Sequence, residues 1–365
     1  MNHRIAKFSL CLCGLALALC TACGTPGVPL PPSLELARPV SDLRAVRKGN
    51  TVYLTWSAPE ATTDRQNIRH PGATAVCRTV GTILRECGVA VAQIPFAKPP
   101  APTKAVPKPQ LSYTDPLSAN LSVENPTATV VYAVSVLNAY GRSAGLSNQV
   151  QVPAAPTLPP PANFQAQVTA EGVKLSWKAM APPGIAGLRY LYRVYRRPSG
   201  TNADTVAGEV AVTDESSPSF LDGGFDWEKS YNYRLTVVTV VAPDQGTEQQ
   251  VEGDDSRAIT VVAHDIFPPA IPAGLQAVFS GPGQKPFIDL IWAPDTEPDL
   301  AGYNVYRREQ DGQLVKLNSD VVKSPAFRDT DVLAGHSYFY SVSAIDVREN
   351  ESAHSDEASE AVPAP

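Results

Sequence analysis

Four histidines lie beyond the N-terminal segment, His70, His264, His336 and His354. Nucleophilic catalysis needs one of them beside a Ser or Cys and an orienting acid. No Gly-x-Ser-x-Gly elbow is present, and no long helical period exists to carry one. His264-Asp265 falls in a proline-punctuated stretch and His336 precedes an alternating run, so these histidines read as loop residues facing water. The run Asp295-Thr296-Glu297-Pro298-Asp299 offers oxygen ligands of the kind calcium takes, but it lacks a glycine-turned loop. Glu252-Gly253-Asp254-Asp255 is a weaker version of the same chemistry. Gly223-Gly224 directly follows Asp222 and reads as a strand-connecting turn rather than a phosphate cradle. The chain is therefore expected to hold no catalytic residue, no metal and no cofactor.

Two groups keep a binding chemistry open. Arg196-Arg197 and Arg307-Arg308 are cation pairs at strand ends. They could form a repeated ligand patch, or simply discourage edge-to-edge pairing of sheets. Phe225 and Trp227 lie in the turn-like stretch Gly223-Gly224-Phe225-Asp226-Trp227. An exposed aromatic pair there could meet a glycan or a protein; packing beneath the end of a domain is the simpler reading.

The elements that must position these groups are strands. The 365 residues include 35 Pro, which disfavours an all-helical fold, and 43% hydrophobic with 18% charged residues describes a globular chain. A net charge of −6 makes nucleic acid a poor partner. Leu-x-Trp occurs three times, at Leu54-Thr55-Trp56, Leu175-Ser176-Trp177 and Leu290-Ile291-Trp292. Each closes an apolar run of period two, the pattern of a strand with one buried face. Tyr192-Arg193-Val194-Tyr195-Arg196 recurs as Tyr303-Asn304-Val305-Tyr306-Arg307, with Ala75-Val76-Cys77-Arg78 as the nearest counterpart in the first copy. An aromatic-x-Asp step follows in all three copies, ending at Asp115, Asp222 and Asp329. Alternating runs from Tyr132, Tyr233 and Tyr340 come next, then a short closing strand.

This order resembles the fibronectin type III domain. The resemblance implies an all-β chain of three tandem immunoglobulin-like antiparallel β-sandwiches, with Trp56, Trp177 and Trp292 between the sheets. Tyr231 and Tyr338 take the place of the family's corner tyrosine, whose hydroxyl bonds back to the backbone; Val130 stands there in the first copy. The domains expected are 38–153, degenerate and interrupted by a Pro- and Lys-rich insertion at 95–109, then 157–263 and 268–362. In the second copy, Gly200 to Gly208 and Pro243 to Asp255 read as long loops.

The first 22 residues resemble a bacterial lipoprotein signal peptide. Arg4 and Lys7 precede an apolar run from Phe8 to Leu19, too short to span a bilayer comfortably, and then Cys20-Thr21-Ala22-Cys23. The resemblance implies cleavage before Cys23 and lipidation of its thiol, with further acylation such as palmitate giving stable anchoring. Residues 23–37 form a Pro-rich tether. Because Gly24, not Asp, follows Cys23, the resemblance points to the outer membrane of a bacterial cell envelope. Export in turn makes a disulfide the expectation for Cys77 and Cys87, the only cysteines beyond the signal and its cleavage point. The functional expectation is a non-catalytic, lipid-anchored spacer and protein- or glycan-binding module. The alternative is an accessory subunit of an envelope secretion or polymer-handling complex.

Overall fold

The computed structural model describes residues 34–96, 110–242 and 247–364. Cys23, the signal and most of the insertion at 95–109 lie outside the described residues. Strands dominate, and they gather into two compact units. The first holds the chain up to Pro156 with Ile185–Leu188 and Val241–Val251; the second holds Thr157–Gly184, Arg189–Val240 and Glu252 onward.

In the first unit, β1 (Arg44–Lys48), β2 (Thr51–Ser57) and β5 (Gln110–Pro116) form one antiparallel layer. The period-two pattern sends Val52, Leu54 and Trp56 inward and Tyr53 outward, opposite Val46 on β1 and Thr114 on β5. The facing layer runs β4 (Ala92–Ile94), β3 (Pro71–Val80), β6 (Thr129–Asn138), β7 (Val150–Pro153). Val76, Val130, Tyr132, Val134 and Val152 meet Leu54 and Trp56 in one core. Each large apolar side chain so buried contributes about 1.5–3 kcal/mol. One element escapes the sequence pattern: helix α1 (Ala119–Glu124), whose entry is capped by Ser118 accepting from the Leu121 N–H at 3.3 Å. Arg47 is buried and donates to the Gly49 carbonyl (3.0 Å) and to Pro153 O. Burial pushes its guanidinium down to about 10.

In the second copy, β8 (Gln165–Thr169), β9 (Gly172–Ser176) and β12 (Ser219–Asp222) form one layer. The facing layer includes β10 (Leu188–Pro198), β11 (Thr205–Ala211), β13 (Ser230–Val241) and β15 (Ile259–Val262). The stretch read from sequence as a loop at Gly200 to Gly208 thus contains the start of β11, and β14 (Gln249–Glu252) lies in the second such stretch. In the third copy, β16 (Gln276–Phe279), β17 (Ile288–Ile291) and β20 (Ala326–Asp329) face β18 (Leu300–Glu309), β19 (Val315–Lys316), β21 (Ser337–Asp346) and β22 (Ala358–Ala361). Ile288, Leu290 and Trp292 pack on Tyr303, Val305, Tyr340 and Val342. Gly302 marks a register shift in β18. Its φ is +147°, and a Cβ there would stand 2.4 Å from Val322 O, so only glycine fits.

Candidate binding surfaces

The aspartate that ends each aromatic-x-Asp step turns inward. Asp115, Asp222 and Asp329 are each 4% exposed. A buried carboxylate needs partners, and each has the same two. Asp115 accepts from the Tyr132 hydroxyl at 2.6 Å and Arg78 Nη1 at 2.8 Å. Asp222 accepts from Tyr233 (2.8 Å) and Arg196 Nη1 (2.8 Å), and Asp329 from Tyr340 (2.9 Å) and Arg307 Nη1 (2.7 Å). Burial first, then the adjacent carboxylate, raises the phenols of Tyr132, Tyr233 and Tyr340 above the ordinary tyrosine range. For Arg307, burial disfavours the charge, but the bond to Asp329 outweighs it and the pKa rises.

Two of the four arginines singled out from sequence, Arg196 and Arg307, are thereby committed as half-buried partners of these inward aspartates. Alternation along β10 explains it: Arg196 shares a face with the buried Val194, whereas Arg197 points the other way. Arg197 Nε stands 3.9 Å from Asp204. Arg308 forks onto Glu357 at 2.7 and 2.5 Å and lies 4.3 Å above the Phe339 ring.

Trp56, Trp177 and Trp292 are 1%, 3% and 5% exposed. Trp177 and Trp292 each meet a tyrosine edge-on at 5.1 Å, Tyr192 and Tyr303. Those hydroxyls accept in turn from the backbone N–H of Met180 (3.2 Å) and Asp295 (2.8 Å). The corner tyrosines also reach back five residues: Tyr231 accepts from Asp226 N–H at 3.0 Å and Tyr338 from Leu333 N–H at 2.9 Å. Phe225 and Trp227 are half-buried. They pack edge-to-face at 4.8 Å, with Tyr231 beside Phe225 and Phe267 beside Trp227.

What differs between copies is the outward side of the larger layers. On β3, Cys77 is bonded to Cys87. Gln149 clamps the same loop, accepting from Leu84 N–H (2.9 Å) and donating to Leu84 O (2.7 Å). The place of Cys77 is taken by Tyr195 in the second copy, where Glu252 accepts from Tyr195 and from Arg193 (2.7 Å). In the third it is Tyr306, where Glu351 accepts from Tyr306 (2.6 Å), Asn304 (2.9 Å) and Ser343. His354 packs 4.3 Å from the Tyr306 ring and bonds Ser341 at 2.9 Å. The other three histidines pair with surface glutamates: His70 with Glu35, His264 with Glu228 and His336 with Glu309.

The acidic run 295–299 does not act as one group. Asp295 caps the Glu297 N–H at 2.9 Å, while Asp299 approaches Asp265 and Asp346, each offering an oxygen within 4.8 Å of the others. Arg348 donates to Asp265 at 3.0 Å, and Asn350 donates to Asp346 at 2.8 Å. Arg348 thus offsets one of the three carboxylate charges, and the Asn350 amide satisfies an oxygen of Asp346.

No protein-family profile matches the sequence. An amylopullulanase of Thermoanaerobacterium saccharolyticum is 30% identical over 125 residues, 34% of this chain and 9% of the relative. Exoglucanase B of Cellulomonas fimi is 28% identical over 248 residues, 63% of this chain and 20% of the relative. The chain therefore spans only a small part of the curated relatives it matches. Among solved structures, the FN1–FN3 domains of chicken CNTN1 cover 89% of this chain and 98% of their own at 14% identity, with a TM-score of 0.25. An Fn3-like protein from Clostridium thermocellum is 32% identical, covering 27% of this chain and 96% of its own, with a TM-score of 0.22. By its strand order, its inter-sheet tryptophans and its corner tyrosines, the chain is a tandem of fibronectin type III β-sandwiches.

Proposed function

We propose that this protein is a non-catalytic, lipid-anchored envelope protein that serves as spacer and binding module. The observation that carries this reading is the division between what repeats and what varies. The Asp–Arg–Tyr cluster recurs in every copy and faces the core, so it serves the fold. The outward side of the sheets differs in every copy: a disulfide loop, an Arg193–Tyr195–Glu252 group, a Tyr306–His354–Glu351 group. Variation on a common scaffold is how loops and faces of a sandwich acquire partners. The relatives named amylopullulanase and exoglucanase support a setting in which such modules accompany polysaccharides. Fold alone does not assign a partner.

The anchor rests on Cys20-Thr21-Ala22-Cys23, and the outer membrane on Gly24. Labelling of cells with a clickable palmitate analogue tests it: the protein takes label, and Cys23→Ala does not. Crosslinking in cells, followed by identification of what is bound, tests the module. Capture of glycan or of several partners supports the reading. A single stoichiometric envelope partner favours an accessory subunit of a secretion or polymer-handling complex instead.

A further inference from the structure

The first sandwich parts at a place where the other two are closed. In the second and third copies, the residue after the core tryptophan donates its backbone N–H straight across to the segment that leads into the first strand. Lys178 donates to Ala162 O and Ala293 to Ala273 O, both at 2.9 Å. In the first copy Ser57 holds that position, and it donates instead to the Asp42 carboxylate at 3.1 Å. A side chain thus stands where two backbones meet elsewhere. The two segments rejoin at Arg38, whose N–H donates to Ala61 O at 3.0 Å. Between these bonds, Pro39 and Pro59 bring no N–H with which to close the gap. What stays open is a cleft of about 330 Å³, lined by residues 38–42 and 57–61.

Asn148 fixes one wall in advance. Its N–H donates to Val40 O at 3.2 Å, and its side chain accepts from Leu43 N–H (3.0 Å) and donates to Leu43 O (2.9 Å). The cleft is therefore preformed and spares a ligand the cost of ordering it. Its apolar lining is the two proline rings with the buried Val40 and Ala58. Its polar lining is of both kinds. Asp42 is an acceptor, kept below the usual carboxylate range by its bonds to Ser57. The Arg38 guanidinium and the Ser41 hydroxyl are donors, and neither makes a bond among the described residues. Arg38 and Asp42 are four residues apart, at most about 14 Å, so one small ligand meets both.

We infer that this cleft of the first sandwich binds a sugar unit of a neutral polysaccharide. The inference rests on the binding-module reading and names its site and ligand class. A hydroxyl both donates and accepts, so neighbouring hydroxyls of one sugar donate to Asp42 and accept from Arg38 and Ser41. The proline rings, Val40 and Ala58 meet the C–H face of the ring. The volume lies at the small end of the range for ligand sites and suits a short stretch of one chain. An acidic sugar would bring a second negative charge to Asp42, and a basic ligand would bring like charge to Arg38. An extended peptide needs a strand edge that continues a hydrogen-bond ladder, and the two prolines interrupt that edge.

Affinity electrophoresis of the full-length protein tests this, in gels containing soluble starch, hydroxyethylcellulose, galactomannan or, as the acidic counterpart, polygalacturonate. At least one neutral polymer retards the protein, and added salt leaves the retardation in place, because hydroxyls rather than charges are read. Arg38→Ala weakens retention by about tenfold, the equivalent of one charge-assisted hydrogen bond. Ser41→Trp fills the cleft with a ring and abolishes it, and both variants melt as the parent does. Arg85→Ala removes an exposed cation elsewhere in the same sandwich and leaves retention unchanged. No retardation by any neutral polymer, or retention unaltered in Arg38→Ala and Ser41→Trp, overturns the inference. Displacement by a tryptic peptide mixture, or retardation by polygalacturonate alone, also overturns it but leaves the binding-module reading standing. Release of new reducing ends from any of the polymers would instead overturn that reading, and the inference with it.

Discussion

The phenol of Tyr233 donates to Asp222 at 2.8 Å, eleven residues earlier in the chain, and Arg196 closes the cluster from a third strand. This one arrangement ties three strands of both layers together, and it has counterparts in the other copies. Removing Asp222 takes the shared acceptor from both the phenol and the guanidinium, whereas removing the phenol's hydroxyl leaves Asp222 still paired with Arg196. Asp222→Ala should therefore cost about 3–5 kcal/mol and Tyr233→Phe about 1–2 kcal/mol. Arg197→Ser, one residue from Arg196 but turned outward, should stay within about 0.5 kcal/mol of the parent. Urea unfolding of the three variants distinguishes them.

Much of this was legible from local pattern. Period two around Leu54-Thr55-Trp56 is a property of one strand and needs no knowledge of its partner. The Asp–Arg–Tyr clusters were not read, because Arg196 and Asp222 are 26 residues apart and meet only through sheet packing. A signal was present all the same: counting by two from the apolar Tyr192 and Val194 arrives at Arg196 and predicts it inside. Strand β11 was missed because it pairs with β10 as a half-exposed strand and carries Gly208, so its alternation is weak. Helix α1 is six residues long, too short for a helical period to show.

The raised phenols should contribute to loss of the fold in alkali. For a group whose folded pKa lies above its unfolded value, stability is fully present below the unfolded value, about 10 for tyrosine, and is lost as pH rises through the folded one. Tyr132, Tyr233 and Tyr340 should thus stay protonated in the native protein above pH 10 and ionise together as it unfolds. A phenolate absorbance titration, followed alongside circular dichroism, should show a late step that coincides with loss of strand signal.

Closing the loop between Cys77 and Cys87, with a sequence separation of 10, should contribute about 2.5–3 kcal/mol by restricting the unfolded chain. The Cys77→Ala/Cys87→Ala variant should unfold at correspondingly lower urea. Thiol titration of the denatured, unreduced protein should detect neither sulfur.

Gly302 allows β18 to pass beside Val322 at its register shift. Gly302→Ala places a methyl group against a carbonyl and forces a left-handed φ on alanine, a loss of about 1–3 kcal/mol. Thermal unfolding of this variant, compared with Gly335→Ala in an open turn, separates the contact from the dihedral, because nothing lies near a Cβ at Gly335.

The central claim is that three like-built sandwiches each enclose one tryptophan between sheets. Iodide quenching of the Trp227→Phe variant tests it most directly, since only Trp56, Trp177 and Trp292 then emit. The account predicts blue-shifted emission that iodide barely reaches until denaturant is added. Emission quenched in the folded protein as readily as free tryptophan would contradict it.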